Sequence, residues 1–161
     1  MPSNVVAFIL ALAIVLPPDG KVSVLASGDL KEPFGIDWDK AGNAYIAQIT
    51  NRISMLDKSG KLTVLGGSFE KGLSGDGGPA SKAQFNRPHH LLVGPDGDLY
   101  VADTFNNCVR KIDLKTGIVT RVAGTGKKAY SGDGGPAVNA DFGGIYCISF
   151  DAKGEKLFMC D

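Results

Sequence analysis

Two adjacent histidines carry the side chains in this chain that are best suited to acid-base or metal chemistry. His89 and His90 directly follow Pro88, and they are its only histidines. Imidazole gains and loses a proton near neutral pH and binds metal ions, so one of these rings could transfer a proton or bind a metal. A single histidine is not a metal site, and further ligands would have to come from other parts of the fold. The alternative is that the pair has no chemical role.

A second group of candidates carries side-chain oxygen atoms. Calcium takes about six to eight oxygen ligands, which aspartate and asparagine supply. The same residue types also cap the turns that contain them by binding backbone amides. Two interpretations therefore stay open, a calcium or polar-ligand site and a purely structural set of turns, for Asp76, Asp133, Asp103, Asn106 and Asn107.

Three cysteines form a third group. Cys108, Cys147 and Cys160 lack C-x-x-C spacing, which argues against a dedicated zinc site. A two-residue loop at 153–154 would place Cys147 directly opposite Cys160 on neighbouring strands, where a disulfide is geometrically feasible. A register slip of one residue would instead put the two sulfur atoms on opposite faces of the sheet.

These candidates are positioned by elements that repeat. The heptapeptide Ser-Gly-Asp-Gly-Gly-Pro-Ala occupies residues 74–80 and returns unchanged at residues 131–137. Residues 40–47 (KAGNAYIA) correspond in the same way to residues 95–102 (PDGDLYVA). A fixed period of this kind indicates a structural repeat.

Each repeat has the pattern of four short strands joined by tight turns, in keeping with 22 glycines and 8 prolines. Neighbouring strands of this length pair antiparallel as a meander, and one such sheet buries too little apolar surface alone. Stacking the sheets solves that problem. The sequence therefore predicts an all-β fold, a partial β-propeller of four-stranded antiparallel blades that forms an open arc rather than a closed ring.

The repeats also predict how the chain is divided. An incomplete propeller is expected over residues 20–161, with a lone outer strand at 20–27, blades at 33–67 and 88–126, and a partial blade at 145–161. An N-terminal strand of this kind completes the last blade of a closed ring, so we expect the chain to be the front portion of a longer propeller. Its bare blade face and open sheet edge would favour self-association.

The motifs of the second blade carry a family resemblance. Residues 95–113 (PDGDLYVADTFNNCVRKID) and 116–126 (TGIVTRVAGTG), together with the heptapeptides, resemble the NHL-repeat family of six-bladed β-propellers, especially its exported bacterial type. Two departures stand out. Cys108 occupies a position where such repeats usually have arginine, and the histidine pair replaces small residues. The resemblance implies a propeller fold, while the family hosts both binding proteins and enzymes.

The N-terminus favours export. Residues 5–16 are an unbroken apolar run followed by Pro17, Pro18, Asp19 and Gly20. This run is shorter than the ~20 residues that a membrane-spanning helix needs, but it has the length of a signal-peptide core. Residues 1–19 are therefore expected to be a signal peptide of an extracellular or periplasmic protein. The alternative is a buried apolar segment of the fold, because no lysine or arginine precedes the run.

The balance of charges argues against nucleic acid as a partner. Lysine plus arginine and aspartate plus glutamate number 17 each, and no stripe of basic and aromatic residues is present. We expect a non-catalytic binding module that presents rim loops to a protein or an extracellular ligand, with no cofactor. The alternative is a fragment of a metal-dependent propeller enzyme, lactonase-like or amidating-lyase-like, in which calcium or zinc joins one of the histidines.

Overall fold

The computed structural model describes residues 30–161, which form three antiparallel sheets. Each of the first two sheets has four strands in sequential order, and the third has two. This confirms the predicted all-β fold of meander blades with no closed sheet. The strands are β1 (Pro33–Trp38), β2 (Ala44–Gln48), β3 (Arg52–Leu56), β4 (Leu62–Gly67), β5 (His90–Val93), β6 (Leu99–Asp103), β7 (Cys108–Ile112), β8 (Val119–Ala123), β9 (Cys147–Phe150) and β10 (Leu157–Cys160).

The turns form where the sequence places glycine in the left-handed region. Gly42 and Gly97 have φ angles of 87° and 82° in the turns between the first and second strands of their sheets. A side chain would resist this conformation, so glycine at both positions keeps the two hairpins alike. A three-residue 3-10 helix begins at the last residue of each heptapeptide, at Ala80–Lys82 and Ala137–Asn139, and another precedes β7 at Thr104–Asn106.

The core lies between consecutive sheets. Tyr45, Ala47 and Ile53 of the first sheet pack against Leu91 and Val101 of the second, and all five are at most 3% exposed. A second cluster joins the other face of the second sheet to Ile148 of β9 and to Ile145, which precedes β9. The alternation of side chains along each strand supplies both faces of a middle blade, as the repeat predicts.

The first heptapeptide fastens one sheet to the next. The Gly77 and Ala80 amides donate to the Val119 and Gly117 carbonyls at 2.7 and 2.8 Å, and the Val119 amide returns a bond to Gly78. Residues 74–80 follow the first sheet, whereas Val119 is on the outer strand of the second. The repeated motif is therefore a connector between neighbouring blades.

The same hydrogen bond, from a backbone amide to a side-chain oxygen, recurs where each sheet begins. Asp103 at the end of β6 accepts a hydrogen bond from the Asn86 amide at 2.7 Å. Gln48 accepts the equivalent bond from Lys31 in the first blade, and Asp161 accepts it from Gly143 in the third. In each blade the end of the second strand thus fixes the segment that leads into the first strand.

The predicted signal peptide at 1–19 and lone strand at 20–27 lie outside the described residues. Among residues 30–161, no helix is long and apolar enough to cross a membrane.

Candidate functional site

The first strand of each sheet forms the candidate site. These three strands, which we call the inner strands, are β1, β5 and β9. Strand β5 contacts both β1 and β9. Phe105, in the turn between the second and third strands of its blade, contacts residues next to the starts of β5 and β9. The starts of these inner strands therefore lie at the same end of the blades as this turn. The long connections and the second-to-third reversals therefore share one end, as the meander predicts.

Four aromatic side chains meet at this end, and we call them the aromatic mouth. The His89 ring lies at the centre, with ring centroids 4.6 Å from Phe34, 5.1 Å from Tyr146 and 5.8 Å from Phe105. Each of the three blades contributes at least one ring. His89 is 9% exposed, whereas Phe34, Phe105 and Tyr146 are 58%, 48% and 53% exposed.

The mouth is reinforced by the segment before β5. Nδ1 of His89 lies 2.7 Å from the Arg87 carbonyl oxygen, which fixes the orientation of the ring. The Arg87 guanidinium lies over the Phe105 ring, 5.4 Å from its centroid. Arg87 has a φ angle of 48°, unusual for a residue with a side chain, and its amide donates to Asn51 of the first blade. Bonds from two blades therefore hold this part of the mouth.

A groove of about 330 Å³ runs along the inner strands below the mouth, and we call it the inner groove. His90, Asp37 and Ser149 bring an imidazole, a carboxylate and a hydroxyl to it. Nδ1 of His90 is buried without a hydrogen-bond partner. Burial lowers the pKa of His90 while the Asp37 carboxylate raises it by a smaller amount, so the ring is neutral at pH 7. Asp37 also accepts a hydrogen bond from the Val93 amide at 2.8 Å.

Asp76 and Asp103, two of the predicted oxygen ligands, both contact the buried side chain of Arg110. They do not form an open ligand site. Nε of Arg110 donates to Asp76 at 2.9 Å, and its Nη1 lies 3.6 Å from Asp103. The guanidinium also donates to the carbonyls of Gln84 and Ser74, at 2.7 and 2.8 Å.

The Phe85 ring completes this enclosure, with its centroid 4.6 Å from the Arg110 guanidinium carbon. We call the set of Asp76, Asp103, Phe85 and the carbonyls of Ser74 and Gln84 the arginine socket. Burial raises the pKa of Asp103 to about 7, because the loss of water outweighs the Asn86 amide, the Asn106 side chain and Arg110.

The remaining oxygen candidates are dispersed. Asn106 donates to Asp103 and to the Gly72 carbonyl, at 2.8 and 2.6 Å. Asn107 adopts a left-handed conformation with φ of 51° and donates to the Gly126 carbonyl. Asp133 is exposed in the second heptapeptide. Within residues 30–161 no three His, Cys, Asp or Glu side chains are grouped to hold a metal ion. A calcium or zinc site in a longer protein stays a prediction.

The two exposed cysteines lie in the first of the two registers that the sequence left open. Cys147 lies opposite Cys160 across β9 and β10, and both are exposed free thiols. Burial and then the neighbouring Cys160 thiol raise the pKa of Cys147. Cys108 is the first residue of β7 and is buried.

Sequence reasoning did not single out Arg110, the three exposed rings or the polar residues Asp37 and Ser149. The sequence did contain a signal for Asp37 and Ser149. Both occupy the repeat position of Leu92, so a polar residue replaces an apolar one there. No comparable signal marks Arg110, since a basic residue on a short strand is ordinarily solvent-exposed.

The comparisons with known proteins agree with this geometry. The NHL repeat model matches residues 85–112. NHL repeat-containing protein 2 from Homo sapiens is 35% identical over 95 residues, which cover 56% of this chain and 13% of that protein. The chain therefore spans a small part of the length of this relative.

Solved structures show the same fold over most of the chain. A structural genomics protein of unknown function from Bacteroides thetaiotaomicron has a TM-score of 0.74 and 22% identity, over 88% of this chain and 37% of its own. An auxiliary nutrient binding protein from Bacteroides ovatus has a TM-score of 0.70 and 23% identity, over 89% and 38%. Virginiamycin B lyase from Staphylococcus aureus has a TM-score of 0.51 and 20% identity, over 82% and 35%. The chain therefore contains a match to the NHL repeat, and its meander blades and these similarities show a β-propeller fold.

Proposed function

We propose that this chain is a non-catalytic binding module of an exported NHL-repeat propeller, and that the aromatic mouth is its ligand-binding surface. The observation that carries the proposal is the convergence of Phe34, Phe105 and Tyr146, from three blades, with about half of each side chain exposed. Exposed apolar groups that cluster, unlike those scattered singly, mark interaction sites. The similarity to a nutrient binding protein supports binding as the role.

The chemistry of the mouth defines the ligand in general terms. Aromatic and arginine side chains are enriched in protein interfaces, and they supply large contact areas with few rotatable bonds. A ligand with a flat apolar face, such as a tyrosine or proline side chain or the face of a sugar ring, would stack on these rings. The proposed partner is therefore a protein or an extracellular polymer that stacks such a group on the exposed surface of Phe105 and Tyr146.

A binding test can separate the mouth from the rest of the surface. Peptides selected from a random library and a set of soluble polysaccharides are titrated against the wild-type chain and the variants Phe105→Ala and Tyr146→Ala. Truncating an anchor residue costs about 1–3 kcal/mol of binding, so we expect affinity to fall roughly 5- to 150-fold. Phe69→Ala is the matched control, because Phe69 is 62% exposed but is not part of the mouth. Ligands that lose equal affinity in all three variants would contradict the proposal.

The alternative is a metal-dependent enzyme that uses the inner groove, and one observation favours it. His90, whose Nδ1 is buried and unpaired, lines a groove that Asp37 also lines, and these residue types are suited to a metal ligand or a base. The similarity to a lyase fits this alternative. Metal analysis of the purified chain and of His90→Ala distinguishes the two roles. One equivalent of zinc or calcium that disappears in the variant would favour the enzyme.

A further inference from the structure

Arg87 brings a positive charge to the aromatic mouth. Its guanidinium carbon lies over the ring of Phe105, 5.4 Å from the centroid, and the residue is exposed. A guanidinium binds a ring through its flat face, while the N–H groups at its edge donate to a carboxylate. Within the part of the chain that the structure describes, no carboxylate forms an ion pair with Arg87. Its charge is therefore available to a ligand of the mouth.

Hydrogen bonds hold the backbone on both sides of this arginine–ring pair. The Phe105 amide donates to the Asn86 carbonyl at 3.1 Å, and the Asn86 amide donates to Asp103 at 2.7 Å. The Arg87 amide donates to the side-chain oxygen of Asn51, in the first blade, at 2.8 Å. These bonds order both segments before a ligand arrives, so binding loses little further backbone entropy.

Two polar side chains next to the mouth are already engaged in bonds within the protein. The Thr104 hydroxyl donates to the Ile145 carbonyl of the third blade at 2.8 Å. Asn51 accepts from the Arg87 amide and donates to the Phe69 carbonyl at 3.0 Å. A carbohydrate presents many hydroxyl groups that need such side chains as partners. A polypeptide with one carboxylate needs a single guanidinium, so these contacts favour a polypeptide ligand.

The charges at the equivalent repeat positions show where an anion would bind. Glu32 in the first blade and Gly144 in the third occupy the repeat position of Arg87. Glu32 and Arg87 have nearly the same φ angle, 46° and 48°. The three blades therefore present a negative, a positive and an uncharged residue in turn. A carboxylate is repelled on the side of Phe34 and attracted on the side of Phe105.

We propose that the aromatic mouth binds a polypeptide segment in which an aspartate or glutamate lies within two residues of a tyrosine, phenylalanine or proline, and that Arg87 selects the acidic side chain. The flat side chain stacks on Phe105 and Tyr146, and the carboxylate accepts hydrogen bonds from the edge of the guanidinium. This inference rests on the proposed function, because it defines the ligand of the same surface.

Selection from a displayed random peptide library tests the inference. The library is selected in parallel on the wild-type chain and on Arg87→Gln, a variant that keeps the backbone amide that donates to Asn51. We expect the peptides from the wild-type chain to be enriched in an acidic residue close to a flat side chain. The peptides from Arg87→Gln should lack this enrichment, because glutamine carries no positive charge.

One selected peptide is then titrated by calorimetry in its acidic form and with the acidic residue replaced by its amide. We expect Arg87→Gln to weaken the acidic peptide roughly 5- to 20-fold and the amide peptide less than about twofold, since the bound peptide shields the charged pair from water. Arg52→Gln is the matched control. The Arg52 guanidinium lies over the Phe69 ring, 4.7 Å from its centroid and outside the mouth, so this variant should leave both affinities unchanged.

The outcomes separate this inference from the proposed function. Acidic and amide peptides that bind alike, and that are both weakened by Phe105→Ala, would overturn the role of Arg87 and leave the mouth as a binding surface. Binding that neither Phe105→Ala nor Tyr146→Ala weakens would contradict both. Failure to select any peptide, or Arg87-dependent binding of polygalacturonate in its place, would exclude a polypeptide as the ligand.

Discussion

Arg110 is the side chain whose removal should destabilise the fold most, and Arg110→Met tests this. Its side chain is fully buried and donates to Asp76 and to the carbonyls of Ser74 and Gln84. Methionine fills similar space but donates nothing, so two carboxylates and two carbonyls lose the contact that Arg110 provides. Breaking a buried ion pair on one side costs about 3–5 kcal/mol, a large share of a typical stability of about 5–15 kcal/mol.

Urea denaturation followed by far-UV circular dichroism measures this cost. We expect Arg110→Met to lose about 3–5 kcal/mol at pH 8 and less at pH 5, where Asp103 takes up a proton and needs no counter-charge. Arg121→Met is the control, because Arg121 is 35% exposed and lies 4.0 Å from Asp76. Exposed pairs contribute about 0–1 kcal/mol. A loss below about 1 kcal/mol for Arg110→Met, or equal losses in both variants, would refute the reasoning.

Three further predictions concern the turns, the thiols and pH. Gly67→Ala should cost at least about 2 kcal/mol more than Gly60→Ala in the same urea assay. Both glycines have positive φ, but a Cβ at Gly67 overlaps a backbone carbonyl while one at Gly60 meets nothing. Oxidised glutathione should form a disulfide between Cys147 and Cys160, so alkylation would detect two fewer free thiols. This disulfide should raise the free energy of unfolding by up to about 3 kcal/mol. His90→Gln should reduce the stability that the protein loses between pH 7 and pH 5. The pKa of His90 is lower in the folded chain than in the unfolded chain, so the stability present above pH 6.5 is lost as the pH falls.

Each of these three has an outcome that contradicts it. Equal costs for the two glycine variants would show that the carbonyl contact is relieved by a small backbone shift. Mixed disulfides with glutathione on both cysteines, in place of an internal bond, would exclude the cross-strand pairing. An unchanged pH dependence in His90→Gln would mean that the imidazole is equally hydrated in the folded and unfolded chain.

The blades could be predicted from the sequence because their determinants are local. Alternating apolar residues define strands, and a glycine such as Gly97 defines a turn, so the meander follows without knowledge of distant contacts. The opposition of Cys147 and Cys160 followed from the same local rule.

The candidate site could not be predicted to the same extent because it depends on contacts between blades. Asp76 was expected either to bind a ligand or to cap its own turn, and only the stacking of two sheets brings it to Arg110, which is 34 residues away. The aromatic mouth combines positions that differ between copies, since Phe34, His89 and Tyr146 occupy the same repeat position with different rings. A repeat pattern reveals what the copies share and does not show where their differences meet.

The convergence of three blades at the aromatic mouth is the central claim, and nuclear Overhauser effects between aromatic side chains test it most directly. In a sample with labelled histidine, phenylalanine and tyrosine rings, the His89 ring protons should show cross-peaks to Phe34, Phe105 and Tyr146, whose ring centroids lie within 5.8 Å. Cross-peaks to all three residues would support the arrangement. Cross-peaks to Phe105 alone, which belongs to the same blade as His89, would contradict it.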